Sequence, residues 1–223
     1  MDGAEKAEGL AVVIDVFRAF SVACFLINNG ARAIIPVAEL DTAYQLKKEN
    51  PEVVLLGERE GKTLAGFDYG NSPALIEGVD FSEQLIVHST SAGTQGLVKA
   101  AGRTEQVITG SFVNARAVAN YIMKEDPEVL SLVAMGYAGQ IPADEDLFCA
   151  HYIRDLLEGR ETDLTKVRQQ LRRGSGKRFF NPANRAWSPP RDFELCLDYN
   201  RFNFVLKAEA YRKDLFVLRK VVL

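Results

Sequence analysis

The stretch that most constrains how this chain can fold is residues 10–30, LAVVIDVFRAFSVACFLINNG. Leu10–Ile14 is an unbroken apolar run, the pattern of a strand buried on both faces. Asp15 closes it and Arg18 follows three residues later. Apolar residues then recur through Val22, Phe25 and Leu26 until Asn29 and Gly30 end a helix. In a strand–turn–helix unit of an open α/β fold, the turn lies at the carboxyl edge of the sheet, where ligands bind. Asp15 and Arg18 therefore stand where chemistry is usually done. The competing reading is a helix cap with its salt bridge.

The alternation continues along the chain. Strands are predicted over 31–38, 52–57, 84–87, 106–109 and 129–135, with helices over 39–50, 95–101, 112–125 and 144–157. Strands alternating with helices predict an α/β fold whose mainly parallel sheet is covered by helices on both faces. The chain reads as one domain over 1–223. Residues 160–223 form an excursion in which a short helix over 163–172 precedes the polar run GSGKRFFNPANRAWSPP. Apolar β-rich runs at 202–206 and 215–223 could add extra C-terminal edge strands or a dimer contact.

Composition narrows the partners. With 223 residues, 47% of them hydrophobic, the chain can bury a sizeable core, and a net charge of −3 lacks the basic footprint of nucleic-acid binding. No apolar run has membrane-spanning length, and the acidic start resembles no signal peptide, so the expected location is cytoplasmic. Cys24, Cys149 and Cys196 are scattered and odd in number, as core thiols would be.

Polar residues gather at the strand ends: Asp15, Arg18, Glu58, Arg59, Asp68, Ser89, Ser91, Thr94, Ser111, Asn114, Asp144 and Asp146. Ser91-Ala92-Gly93-Thr94 precedes a helix, where small residues let backbone N–H groups converge on an anion. An ordinary helix cap explains the same residues. No Gly-Lys-Ser/Thr follows, so this is not a nucleotide phosphate loop. GSGKR, residues 174–178, reads as a mobile surface turn. Oxygen ligands without clustered His or Cys favour Mg²⁺ over zinc. The triplet Asp144-Glu145-Asp146 is either an acid-rich helix start or a metal-side contribution, and His88 and His151 read as structural.

Several of these motifs in register, VVIDVFRA, LLGEREG, GFDYGNSP, SAGTQGL, TGSFVNA and FELCLDYNRFNFVLK, resemble the 2-phosphosulfolactate phosphatase family over nearly the whole chain. The resemblance implies a Mg²⁺-dependent phosphatase of a small phosphorylated acid, 2-phospho-3-sulfolactate. It implies catalytic roles for Asp15, Arg18, Glu58 and Arg59, and substrate contacts from Asn71, Ser72, Ser91, Gly93, Thr94, Ser111 and Asn114. Carboxylates from among Asp15, Glu58, Asp68 and Asp146 would hold the metal. This chain has STSAGT, residues 89–94, where the family shows a Thr-Thr-Asn-Gly-Thr run, a departure that bears on substrate identity.

Phe17 stands where haloacid-dehalogenase phosphatases carry their second acid, which favours attack by a metal-bound water over an aspartyl phosphate. The alternatives are a related phosphatase with another small acid as substrate, a non-catalytic sensor of a phosphorylated metabolite, and a nucleotide-dependent transferase.

Overall fold

The computed structural model describes residues 2–212 and 214–223. In chain order the elements are α1 (Asp2–Glu5), β1 (Leu10–Ile14), α2 (Ala19–Asn28), β2 (Ala33–Pro36), α3 (Leu40–Glu49), β3 (Val54–Arg59) and β4 (Lys62–Thr63). They continue with β5 (Leu85–Ser89), α4 (Gly93–Ala101), β6 (Gln106–Gly110), α5 (Ala115–Glu125), β7 (Leu130–Ala134) and α6 (Asp144–Leu157). The last are α7 (Leu164–Arg173), α8 (Pro190–Cys196), β8 (Phe204–Arg212) and β9 (Leu215–Val222). No helix among the described residues is long and apolar enough to cross a membrane.

β1 pairs in parallel with β6 on one side and β7 on the other. Its alternate residues serve two cores: Ala11 and Val13 pack with α2 and α4, while Leu10, Val12 and Ile14 pack with α5, α6 and the segment around Phe179 and Phe193. Two covered faces are the physical reason for an unbroken apolar run. Each Leu, Val or Ile side chain of the run contributes about 1.5–3 kcal/mol on burial.

The nine strands form one sheet in the order β4-β3-β5-β2-β9-β8-β6-β1-β7. This corrects the expectation of a mainly parallel sheet with C-terminal edge strands. The parallel pairs β1–β6, β1–β7, β2–β5 and β3–β5 fall into two groups, and the antiparallel hairpin β8–β9 joins them, pairing with β6 and β2. The C-terminal strands are thus central. Their inner ends carry buried Phe204, Val205, Leu206, Val217 and Leu218, which seal the seam between the halves. The three cysteines are free and buried.

α4 packs on β1, β2, β5, β6 and β9, so the sheet wraps this helix. That curl brings the carboxyl ends of β1 and β3, which lie in opposite halves of the sheet order, to the same place.

Candidate functional site

A cavity of about 600 Å³ opens at those strand ends. Its polar wall includes Asp15, Arg18, Glu58, Lys62, Asn71, Ser91 and Arg178, and Phe17, Ala92, Tyr137 and Trp187 supply apolar surface.

Asp15 follows β1 directly and is buried. Its Oδ1 accepts the Ala19 N–H at 3.1 Å, which tethers it to the start of α2. Burial, with Glu58 and Glu145 nearby, pushes its pKa up to about 7, although the Ala19 hydrogen bond and the Arg178 charge pull the other way. No described residue donates to Oδ2 in this structure. That oxygen lies against Gly93, where a Cβ would come within 2.7 Å of both Oδ2 and the Ala19 Cβ. Gly93 therefore permits close approach of the carboxylate to the α4 N-terminus. Gly93→Ala is expected to displace Asp15 and lower turnover by roughly 10²-fold, with a stability loss of about 1–3 kcal/mol from overpacking. Steady-state kinetics and thermal melts check both, and a fully active variant would refute this role.

Glu58 lies near the end of β3, where the β3–β4 hairpin turns through Glu60 and Gly61, both at positive φ as a type I′ turn requires. Its Oε2 accepts the Gly61 N–H at 2.6 Å, and Oε1 accepts the Ser91 N–H at 2.8 Å. The Ser91 hydroxyl donates to Oε2 at 3.2 Å. The expected anion cradle before α4 is thus already faced by two of the protein's own carboxylates. Thr94 holds that turn through reciprocal bonds with Thr90, which donates its N–H to Thr94 Oγ1 at 2.9 Å and accepts the Thr94 N–H at 3.1 Å.

Arg18 is buried against Asp192, which sequence reading did not single out. Its Nη1 donates to Asp192 Oδ2 and to the Trp187 carbonyl, both at 2.6 Å, and Nη2 donates to the Gly61 carbonyl at 3.2 Å. Asp192 Oδ1 accepts the Ser72 hydroxyl at 2.6 Å and the Ala74 N–H at 3.0 Å. One ion pair therefore ties the β1 turn, the β3–β4 hairpin, the 71–74 turn and α8 together.

The remaining sequence-nominated residues are placed as follows. Asp146 is buried with its pKa raised well above the carboxylate range by burial and by Asp15 and Glu145. Its two oxygens accept the Val16 and Gly136 N–H groups, both at 2.8 Å, bracing the ends of β1 and β7. Asp144 in the same triplet is exposed, whereas Glu145 is buried with Oε2 unpartnered. Asp68 is exposed outside the cavity, paired with Lys47 and accepting the Leu55 N–H. Arg59 turns from the cavity to the Glu58 and Ala38 carbonyls and the Ser89 hydroxyl. Ser111 and Asn114 form a capping box before α5, and the Ser111 hydroxyl bonds Ser21. Asn71 lines the cavity, its Oδ1 3.1 Å from His88 Nε2. Burial pushes His88 down to about 3, so it is neutral near pH 7. His151 is exposed on α6.

The 174–178 run is not a detached surface turn. It lies in a 3₁₀ segment, Ser175–Phe180, in which Gly176 and Phe179 are buried and Arg178 reaches the cavity wall. Its signal in the sequence is the cluster Phe179, Phe180 and Trp187 beside the arginines, an aromatic content unusual for a solvated loop.

Fold and cavity define an α/β protein with a strand-end site built from carboxylates and arginines. The family described as 2-phosphosulpholactate phosphatase matches residues 2–210, and the chain belongs to that family. Among its relatives, the probable 2-phosphosulfolactate phosphatase of Bacillus subtilis is 30% identical over 89% of this chain and 86% of its own length. The proteins of the same name from Caldicellulosiruptor saccharolyticus and Clostridium perfringens are 39% and 36% identical, over 67% and 71% of this chain. Those two alignments span 62% and 65% of the relatives' lengths, less than two thirds of each.

Proposed function

We propose that this chain hydrolyses the phosphate monoester of a small acidic hydroxy acid, with 2-phospho-3-sulfolactate as the substrate and Mg²⁺ as the cofactor. The observation that carries the reading is the placement of Asp15 and Glu58 together at the α4 N-terminus, in a cavity that also meets arginines. A phosphate dianion approaching two carboxylates is repelled unless positive charge lies between them.

The donor set fits a magnesium ion. Among the described residues no group of three His, Cys, Asp or Glu is arranged as a cage, but Mg²⁺ commonly takes one or two carboxylates, with waters and substrate phosphate completing its shell. Asp15, with Oδ2 open and its pKa raised, and Glu58 beside it are the residues that would hold the ion. Bound there, Mg²⁺ supplies charge neutralisation at the phosphoryl oxygens. Asp146 braces the turns that hold Asp15 rather than adding a ligand, and Asp68 lies elsewhere. Asn71 and the Ser91 hydroxyl offer neutral polar contacts that orient the ester, and Phe17 and Trp187 exclude water from its flank.

Phosphate release from 2-phosphosulfolactate, 2-phospholactate and an aryl phosphate, each with Mg²⁺ and with EDTA, tests this reading. Activity is expected to vanish in EDTA and return with Mg²⁺. The sulfonated acid should be preferred over the aryl ester by about 10-fold or more, the worth of one charge-assisted hydrogen bond. Undiminished turnover after chelation would remove the metal, and failure to cleave any of the three esters would remove the phosphatase.

A further inference from the structure

We propose that Arg178 is the residue through which this chain grips the phosphoryl group of its ligand, an inference that rests on the phosphatase reading above. Three cationic side chains line the cavity among the described residues: Arg18, Lys62 and Arg178. Arg18 is committed to the protein, since both Nη1 hydrogens go to Asp192 and Trp187 and an Nη2 hydrogen goes to Gly61. Lys62 is exposed on the β4 tip, where a solvated ammonium gains little from a partner.

Arg178 differs from both. It is half-buried, and among the described residues its side chain makes one hydrogen bond, Nη2 to the Phe17 carbonyl at 2.7 Å. Its Nε is buried without a partner. Its Nη1 has no acceptor among the described residues either, so the guanidinium keeps donors for an anionic oxygen at the cavity wall, where an unmade hydrogen bond on a cationic group is costly. The Phe17 bond fixes the guanidinium beside the residue that follows Val16 and Asp15, and its charge acts on the Asp15 carboxyl. The Phe179 ring, 5.1 Å from the guanidinium carbon, supports it from the protein side. Arg178 thus places a forked donor set at a cavity whose other wall is acidic, the geometry suited to a phosphate held between a cation and carboxylate-bound metal.

Its chain context points the same way. Residues 164–190 carry Lys166, Arg168, Arg172, Arg173, Lys177, Arg178 and Arg185 with no Asp or Glu, in a protein whose net charge is −3. A local block of one sign raises the concentration of an oppositely charged ligand near it.

Trp187 is the only tryptophan in the sequence and lines the same cavity, so its fluorescence reports binding without turnover. Inorganic phosphate is titrated into the Mg²⁺-loaded protein, and inhibition of aryl phosphate hydrolysis by phosphate is measured in parallel. Arg178→Ala is expected to weaken phosphate binding by about 10–100-fold in both assays, with Arg178→Lys intermediate because a point charge keeps attraction but loses the fork. Arg173→Ala, in the same basic run but outside the cavity lining, should bind phosphate within about 2-fold of wild type. Matched melting curves establish that the variants are folded, and Arg178→Lys carries the test if the alanine variant is not. Wild-type phosphate affinity in folded Arg178 variants, with hydrolysis intact, overturns this assignment alone. A wild-type protein that neither binds phosphate nor releases it from esters overturns both this and the phosphatase reading.

Discussion

Arg18→Ala is expected to cost about 3–5 kcal/mol of stability, because it leaves Asp192 buried with its charge uncompensated. For a chain of this size that corresponds to a fall in Tm of roughly 10 °C. The loss is large because Asp192 is fully buried and retains only the Ser72 hydroxyl and the Ala74 N–H. The double variant Arg18→Met, Asp192→Leu removes both charges together and should recover part of the stability, as apolar replacements of buried pairs commonly do, short of the whole because the Ser72 hydroxyl and Ala74 N–H lose their acceptor. Turnover is expected to follow the fold, lost in the single variant and recovered in the double only in part, because the Trp187 and Gly61 carbonyls that shape the cavity lose their Arg18 donor in both. Melting curves and steady-state rates on the two variants decide it. A double variant as unstable as the single one would show that the uncompensated charge of Asp192 is not the source of the loss.

That pair also marks the limit of what a sequence discloses here. The run Leu10–Ile14 and the acid after it carry their own explanation, because burial on both faces leaves an unbroken apolar run that needs no knowledge of the neighbours. Asp15, Glu58 and Ser91 follow from that reading, as polar residues at the carboxyl ends of strands, whereas Asn71 enters through the family resemblance. Asp192 does not, since nothing in PRDFELC distinguishes a helix-start acid from the buried partner of an arginine 174 residues earlier. Strand partners are equally hidden: residues 202–206 and 215–223 read as strands, yet their central position depends on which edges β2 and β6 leave open. The same holds for Ser111, whose hydroxyl finds Ser21 rather than a ligand, and for Arg59, whose guanidinium closes on local carbonyls and Ser89. A list of residues along one sheet edge becomes a site only where the sheet curls, and curvature is set by the helix it wraps.

Asp15→Asn is expected to make the metal-free protein more stable at pH 8 while lowering turnover by about 10² or more. The Asp15 carboxyl titrates near 7 in the folded chain, against an ordinary value of 3.8. A raised carboxyl pKa means that folding favours the protonated form. The unfavourable contribution is absent below about pH 4, grows as pH rises, and is complete above about pH 7. With roughly 1.4 kcal/mol per pKa unit, it amounts to a few kcal/mol. Asparagine keeps an oxygen to accept the Ala19 N–H but carries no charge to desolvate. In EDTA, Tm of the wild type should therefore fall relative to the variant between about pH 4 and pH 7, with the two close together at the acid end. Adding Mg²⁺ at pH 8 should raise Tm of the wild type by linkage and leave the variant nearly unmoved. If Asp15 were instead a nucleophile, Mg²⁺ would stabilise both proteins alike, and acid-quenched wild type would carry a phosphate on Asp15 detectable by mass. The expected result is the metal-linked shift in Tm without the adduct, because the carboxylate held beside Gly93 and Glu58 has a charge that its surroundings do not balance.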